Sequence, residues 1–102
     1  MGLEVVVEDE NGTKIDSLED PTNILHRVLP SRDESEFKYL NRIDWYGDTT
    51  FNRHQIADVR QELKRLENSR KNSDELDMIK QVDALASKSE SEPHLYLKFY
   101  GD

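Results

Sequence analysis

Two carboxylates and an imidazole lie close together in the stretch Asp44-Trp45-Tyr46-Gly47-Asp48-Thr49-Thr50-Phe51-Asn52-Arg53-His54-Gln55. Asp44 and Asp48 flank a Trp-Tyr-Gly break, and His54 follows on the next element. If folding converges them, such groups can hold a metal ion or move protons. One reading is therefore a small hydrolase or metal-dependent enzyme using Asp44, Asp48 and His54. The spacing matches no named metal motif, however. His26, His54 and His94 form no pair four residues apart, as a helical zinc site would need. There is no phosphate-cradling glycine loop and no nucleophile elbow. The competing reading gives the acids structural work: Asp48 caps the turn or the following helix, and Asp44 pairs with a nearby Arg. Structural ion pairs gather acids as readily as active sites do, and more weight rests on this side. No catalytic residue, metal or cofactor is assigned.

The same stretch also reads as a contact surface. It holds the only Trp of the chain. Trp and Tyr are favoured interface anchors, while a lone Trp in a small domain is more often core. The expectation is Trp45 turned inward and Tyr46 partly exposed. Tyr46, Asp48, Asn52 and Arg53, with Glu34 and Glu36 upstream, are the candidate binding residues.

Charge narrows the class of partner. The net charge is -8, and residues 1–36 carry ten acids against three bases. Residues 52–71 are net +3, with Arg53, Arg60, Lys64 and Lys71 spaced along one side of a helix as a solvated face. An acidic molecule repels phosphates, which argues against nucleic acid and anionic membranes. A basic protein is the partner this charge permits, although plain solubility is the commoner meaning of net charge. The absence of Cys removes disulfides and thiol chemistry and suits a reducing cytoplasm. No leader-like or membrane-length apolar run is found, so a cytoplasmic location is expected.

The elements that must position these residues follow from periodicity. The chain has 102 residues, 34% apolar and 35% charged, which fits a single domain over 1–102 with a thin core. Leu3 to Glu8 is β-branched and alternating, Asn11-Gly12 is a tight turn, and Lys14-Ile15-Asp16 is a return strand. Asp20 caps a short helix with Pro21 at its first position, and Ile24, Leu25, Val28 and Leu29 form its apolar side. Residues 31–36 form a loop. Phe37 to Tyr46 is aromatic-rich and predicts a strand, broken by Gly47-Asp48. Asn52 or a preceding Thr caps the main helix, whose stripe is Ile56, Val59, Leu63 and Leu66. Ser73 caps a second helix with Met78, Ile79, Val82, Leu85 and Ala86 inward, and residues 87–93 form a loop. Leu95 to Tyr100 is the cleanest strand, with Leu95, Leu97 and Phe99 on one side and Tyr96, Lys98 and Tyr100 on the other. This strand is expected to pair with the one leading into Trp45, in an orientation left open. The order β-β-α-β-α-α-β predicts an α+β fold, with a helical pair on one face of a small, mainly antiparallel sheet.

Two segments carry a family resemblance. They are Ile43-Asp44-Trp45-Tyr46-Gly47-Asp48-Thr49-Thr50-Phe51-Asn52-Arg53 and His94-Leu95-Tyr96-Leu97-Lys98-Phe99-Tyr100-Gly101-Asp102. Together they resemble a group of small bacterial proteins with a D-x-Y-G-D-T-x-F-N-R segment before a helix and an H-L-Y-L-x-F-x-G-D terminus. The resemblance implies a bacterial source, a complete domain and no catalytic residues to carry over. By analogy with small acidic toxin-neutralising proteins, it also implies an immunity-like interaction protein. The expectation is a non-catalytic acidic protein-binding domain, an immunity-like inhibitor of a basic partner protein.

Overall fold

The computed structural model describes residues 3–31 and 33–101. Arg32 and the Asp102 of the terminal motif lie outside the described residues. The strands are β1 (Glu4–Asp9), β2 (Lys14–Glu19), β3 (Asp48–Phe51) and β4 (Leu95–Tyr100). The helices are α1 (Ile24–Val28), α2 (Arg53–Ser69) and α3 (Ser73–Glu90), with a short 3-10 turn at Leu40–Arg42. The sheet runs in the order β2-β1-β4-β3 and every neighbour is antiparallel. This is the α+β architecture and the element order that the sequence predicts.

Alternation decides which side of the sheet is dry. Leu3, Val5 and Val7 face inward with Leu95, Leu97 and Phe99, while Phe51 joins them from β3. Onto this face pack Ile56, Val59, Leu63 and Leu66 of α2 and Met78, Ile79, Val82, Leu85 and Ala86 of α3. The i, i+3, i+4 spacing of both helical sets makes a stripe wide enough to cover a four-stranded sheet.

Several local signals act differently from their sequence reading. Asp20 does cap α1, accepting from the N–H groups of Ile24 and Leu25 at 2.8 Å each. The helix nonetheless starts at Ile24, with Pro21 outside it, because Asn23 takes a left-handed conformation at the cap. Asn52 caps α2 in a reciprocal box with Gln55. Asn72, not Ser73, caps α3, its side chain accepting from Asp74 and Glu75. α3 continues through Ser87 to Glu90 where a loop was expected, since its buried stripe extends to Ser89. Of the presumed solvated basic face, Arg60 binds Asp83 and Glu90 of α3 at 2.9 and 3.0 Å and so ties the two helices together.

The largest correction is at Phe37 to Tyr46, which is not a strand. Phe37, Leu40 and Ile43 are buried, a step of three that suits a tight helical turn rather than alternation. Two backbone donors of this segment find their acceptor on α2. Glu62, only 3% exposed, accepts from Tyr39 N–H at 3.1 and 3.2 Å and from Leu40 N–H at 2.9 Å. Arg65 donates to the Glu36 carbonyl, and Arg70 donates to the Val28 carbonyl. The strand lies after Gly47 instead, and β4 therefore pairs antiparallel with the segment leaving the Trp45 turn.

On the other side of the sheet, Glu8 is 6% exposed. Lys98 Nζ lies 3.0 Å from its Oε1, and Tyr100 OH donates to its Oε2. Burial pushes the Glu8 carboxyl up, but the hydrogen bonds from Tyr100 and Lys98 outweigh it and hold the group below its ordinary value. The Glu8 hydrogen bond in turn raises Lys98. A depressed carboxyl stabilises the fold above its unfolded value of 4.5, and that contribution disappears as pH falls through the lower folded value. The Lys98 contribution is complete below 10.5 and disappears above it. Glu8→Gln should thus cost about 1–2 kcal/mol on a plateau between these limits. The gap between variant and wild type should narrow as pH falls from 4.5 through the lower folded value, as read by urea midpoints across a pH series. An acid-independent gap would mean that the charge on Glu8 does not matter.

Candidate binding site

The Asp44–Asp48 turn joins the 3-10 segment to β3. Buried Leu40 and Ile43 fix its entry, and Phe51 fixes its exit. Within it, Asp44 Oδ1 accepts from Tyr46 N–H at 2.9 Å, and Asp44 N–H donates to Thr49 Oγ1 at 2.8 Å. Asp44 is thus a turn-stabilising Asx residue. Trp45 packs partly buried against the core, edge-on to His26 with ring centroids 5.1 Å apart.

Two glycines let the backbones close up. Gly101 N–H donates to the Gly47 carbonyl at 2.8 Å, adding a step to the β3–β4 ladder. A Cβ on Gly101 would sit 2.3 Å from the Trp45 carbonyl oxygen, and one on Gly47 would sit 2.8 Å from Asp44 Oδ2. The two sequence segments that carry the resemblance are therefore one structure: the terminal strand clamps the turn.

From this clamped turn Tyr46 projects with 85% of its surface exposed. Ile15, at 44%, is the other large apolar side chain exposed among the described residues. The remaining candidates are distributed. Asp48 is exposed at the start of β3, while Asn52 and Arg53 are exposed beyond its other end. Asn52 is committed to capping α2. Glu34 and Glu36 are exposed on the connection before the 3-10 turn, and Glu34 accepts from Ser31 N–H. His54 lies in the first turn of α2, a strand length away from Asp48, roughly 10 Å at strand rise. Among the described residues no group of three or more His, Asp or Glu is placed to hold a metal ion.

Sequence reasoning missed Glu62, Gly101 and the Glu8–Lys98–Tyr100 group. Glu62 had a signal, since it falls three residues after Val59 and inside the apolar stripe of α2. The other two depend on pairings between distant segments. Among the described residues no helix is long and apolar enough to cross a membrane. Comparison with models of known protein families, with characterised proteins and with solved structures finds no match to this chain.

Proposed function

We propose that this chain is a non-catalytic protein-binding domain, immunity-like in kind, that engages a basic partner protein and uses Tyr46 as an anchor. One observation carries the reading: an aromatic side chain 85% exposed on a turn whose backbone is held by hydrogen bonds at Asp44, Tyr46 and Gly47. An isolated exposed Tyr on a mobile loop would lose much of its contact energy to ordering. A clamped one avoids the backbone part of that loss, and large aromatics are frequent hot spots of interfaces. The net charge of -8 supplies long-range attraction for a basic partner. The hydrolase or metal-dependent alternative draws no support from the arrangement, because the carboxylate of Asp44 is engaged in its own turn and His54 sits a strand length from Asp48.

Tyr46→Ala removes the anchor and should leave the thermal midpoint unchanged, since the side chain packs on little. Its affinity for a partner captured by the wild-type chain should fall at least about tenfold. The wild-type association rate should also fall as salt rises, and Glu34→Lys/Glu36→Lys should blunt that dependence. Equal affinity for wild type and Tyr46→Ala would remove the turn from the interface.

A further inference from the structure

β2 is an edge of the sheet, and the hydrogen bonds fix which of its backbone groups face outward. Among the described residues no strand lies beyond it in the order β2-β1-β4-β3. Asp9 N–H reaches the Thr13 carbonyl at 3.0 Å, so the backbone of Asp9 points to the β2 side of β1. Antiparallel pairs alternate between bonded and non-bonded positions. Val7 and Val5 therefore bond to Asp16 and Leu18, and Val6 turns the other way, toward β4. Gly101 sets the same phase from the far side. Its N–H reaches Gly47 on the β3 side, which turns Lys98 toward β1 and Val6. Ser17, opposite Val6, thus points its N–H and C=O out of the sheet.

That outward donor is already taken. Asp16 Oδ1 accepts from Ser17 N–H at 2.8 Å, and Lys88 Nζ of α3 lies 3.3 Å from Asp16 Oδ2. The Ser17 N–H, and after it Lys88, holds the Asp16 carboxyl below its ordinary value, so it is charged at neutral pH. The rest of β2 is open. Five of its six residues are exposed, among them Ile15 at 44%. An open edge of this length is a template for a further strand, and charged side chains and bulges are the usual protection. The register shift beside Ile15 disturbs only the first part of β2 and leaves Asp16 to Glu19 regular. β3, the opposite edge, has only four residues, and shortness is protection in itself.

We propose that Asp16 guards the β2 edge: by taking the Ser17 N–H, it keeps a second copy of this chain from pairing its own β2 antiparallel across the edge. The register singles out that occupant. A two-fold axis at Ser17 would let the two Ser17 residues exchange N–H···O=C bonds, as outward-facing positions do. It would also set Asp16 of each copy beside Leu18 of the other. Leu18 packs against the core, on the same side of the sheet as Lys88. Pairing would therefore pull the carboxylate off its donor and lay a charge against an apolar side chain, which is costly. Asp16→Ala removes both penalties and leaves the outward N–H without an acceptor.

Sedimentation equilibrium of the full chain tests this. Wild type should stay monomeric, and Asp16→Ala should dimerise with an association constant at least about tenfold higher. Glu36→Ala removes the same charge from another exposed position and should behave as wild type. Ser17→Pro added to Asp16→Ala should restore the monomer, because it deletes the outward N–H where an edge strand tolerates proline. Thermal midpoints show that each variant is folded. Asp16→Ala alone gives a second readout: exchange of its Ser17 amide should slow as protein concentration rises. A wild-type dimer, no gain for Asp16→Ala, an equal gain for Glu36→Ala, or a Ser17 amide indifferent to concentration would each overturn the inference. So would uptake of a foreign extended peptide at Ser17 by the wild-type chain, since the edge would then be unguarded. The Tyr46 reading is judged separately, by the effect of Tyr46→Ala on a captured partner.

Discussion

Leu97→Ala should lower the unfolding free energy by roughly 2–4 kcal/mol, and Leu63→Ala by a similar amount. Leu97 is fully buried on the inner face of β4, and Leu63, 1% exposed, lies in the stripe of α2 that covers the sheet. Each truncation removes apolar area and leaves a cavity between a strand and a helix that other packing holds in place. The domain is small, so either loss is a large share of a total of about 5–15 kcal/mol. Urea midpoints measured at fixed m-value give the result directly. Near-wild-type midpoints for both variants would contradict a single core shared by the central strand and the helical pair.

Glu62→Ala should cost a comparable amount, about 2–4 kcal/mol, for a different reason. It strands the N–H groups of Tyr39 and Leu40 without their acceptor in a largely buried place. Glu62→Gln keeps one acceptor oxygen and should recover part of the loss. The damage should be local: amide exchange at Tyr39 and Leu40 should speed up well before that of β4. If Glu62→Ala leaves both stability and exchange at these amides untouched, the carboxylate is not what fastens the segment to α2.

How much was legible in the chain depended on the range of the forces involved. Residues 95–100 alternate cleanly, and Ile56, Val59, Leu63 and Leu66 step cleanly, so β4 and α2 could be read from periodicity alone. Asn52 capped as its type predicts. Phe37 to Tyr46 misled because its aromatic content suits a strand, whereas its buried residues, Phe37, Leu40 and Ile43, recur every third position. The backbone of that segment bonds to a carboxylate on α2, a partner more than 20 residues away in sequence. The brief strand Asp48–Phe51 was hidden between two turn signals. At the Asp44–Asp48 turn, the inward Trp45 and outward Tyr46 were readable from residue type, but the clamp was not. Gly101 matters only because folding brings it against Trp45, across half the chain.

β4 lies between β1 and β3, and that placement bears on when the protein can fold. Of the elements described, β4 is the last to leave the ribosome, yet it is the strand that joins the β1–β2 hairpin to the β3–α2–α3 unit. Until it emerges, the sheet lacks the strand that pairs β1 with β3, and Val5, Val7 and Phe51 lack their ladder partners. Pairing Glu4 with Tyr100 then closes a loop of nearly the whole chain, and such non-local pairing moves folding from microseconds toward milliseconds or longer. The nascent chain is therefore exposed to aggregation and to chaperones until translation of this strand is complete. The Tyr46 turn, clamped by the residue that follows β4, gains its hydrogen bond to Gly101 only once that strand is in place.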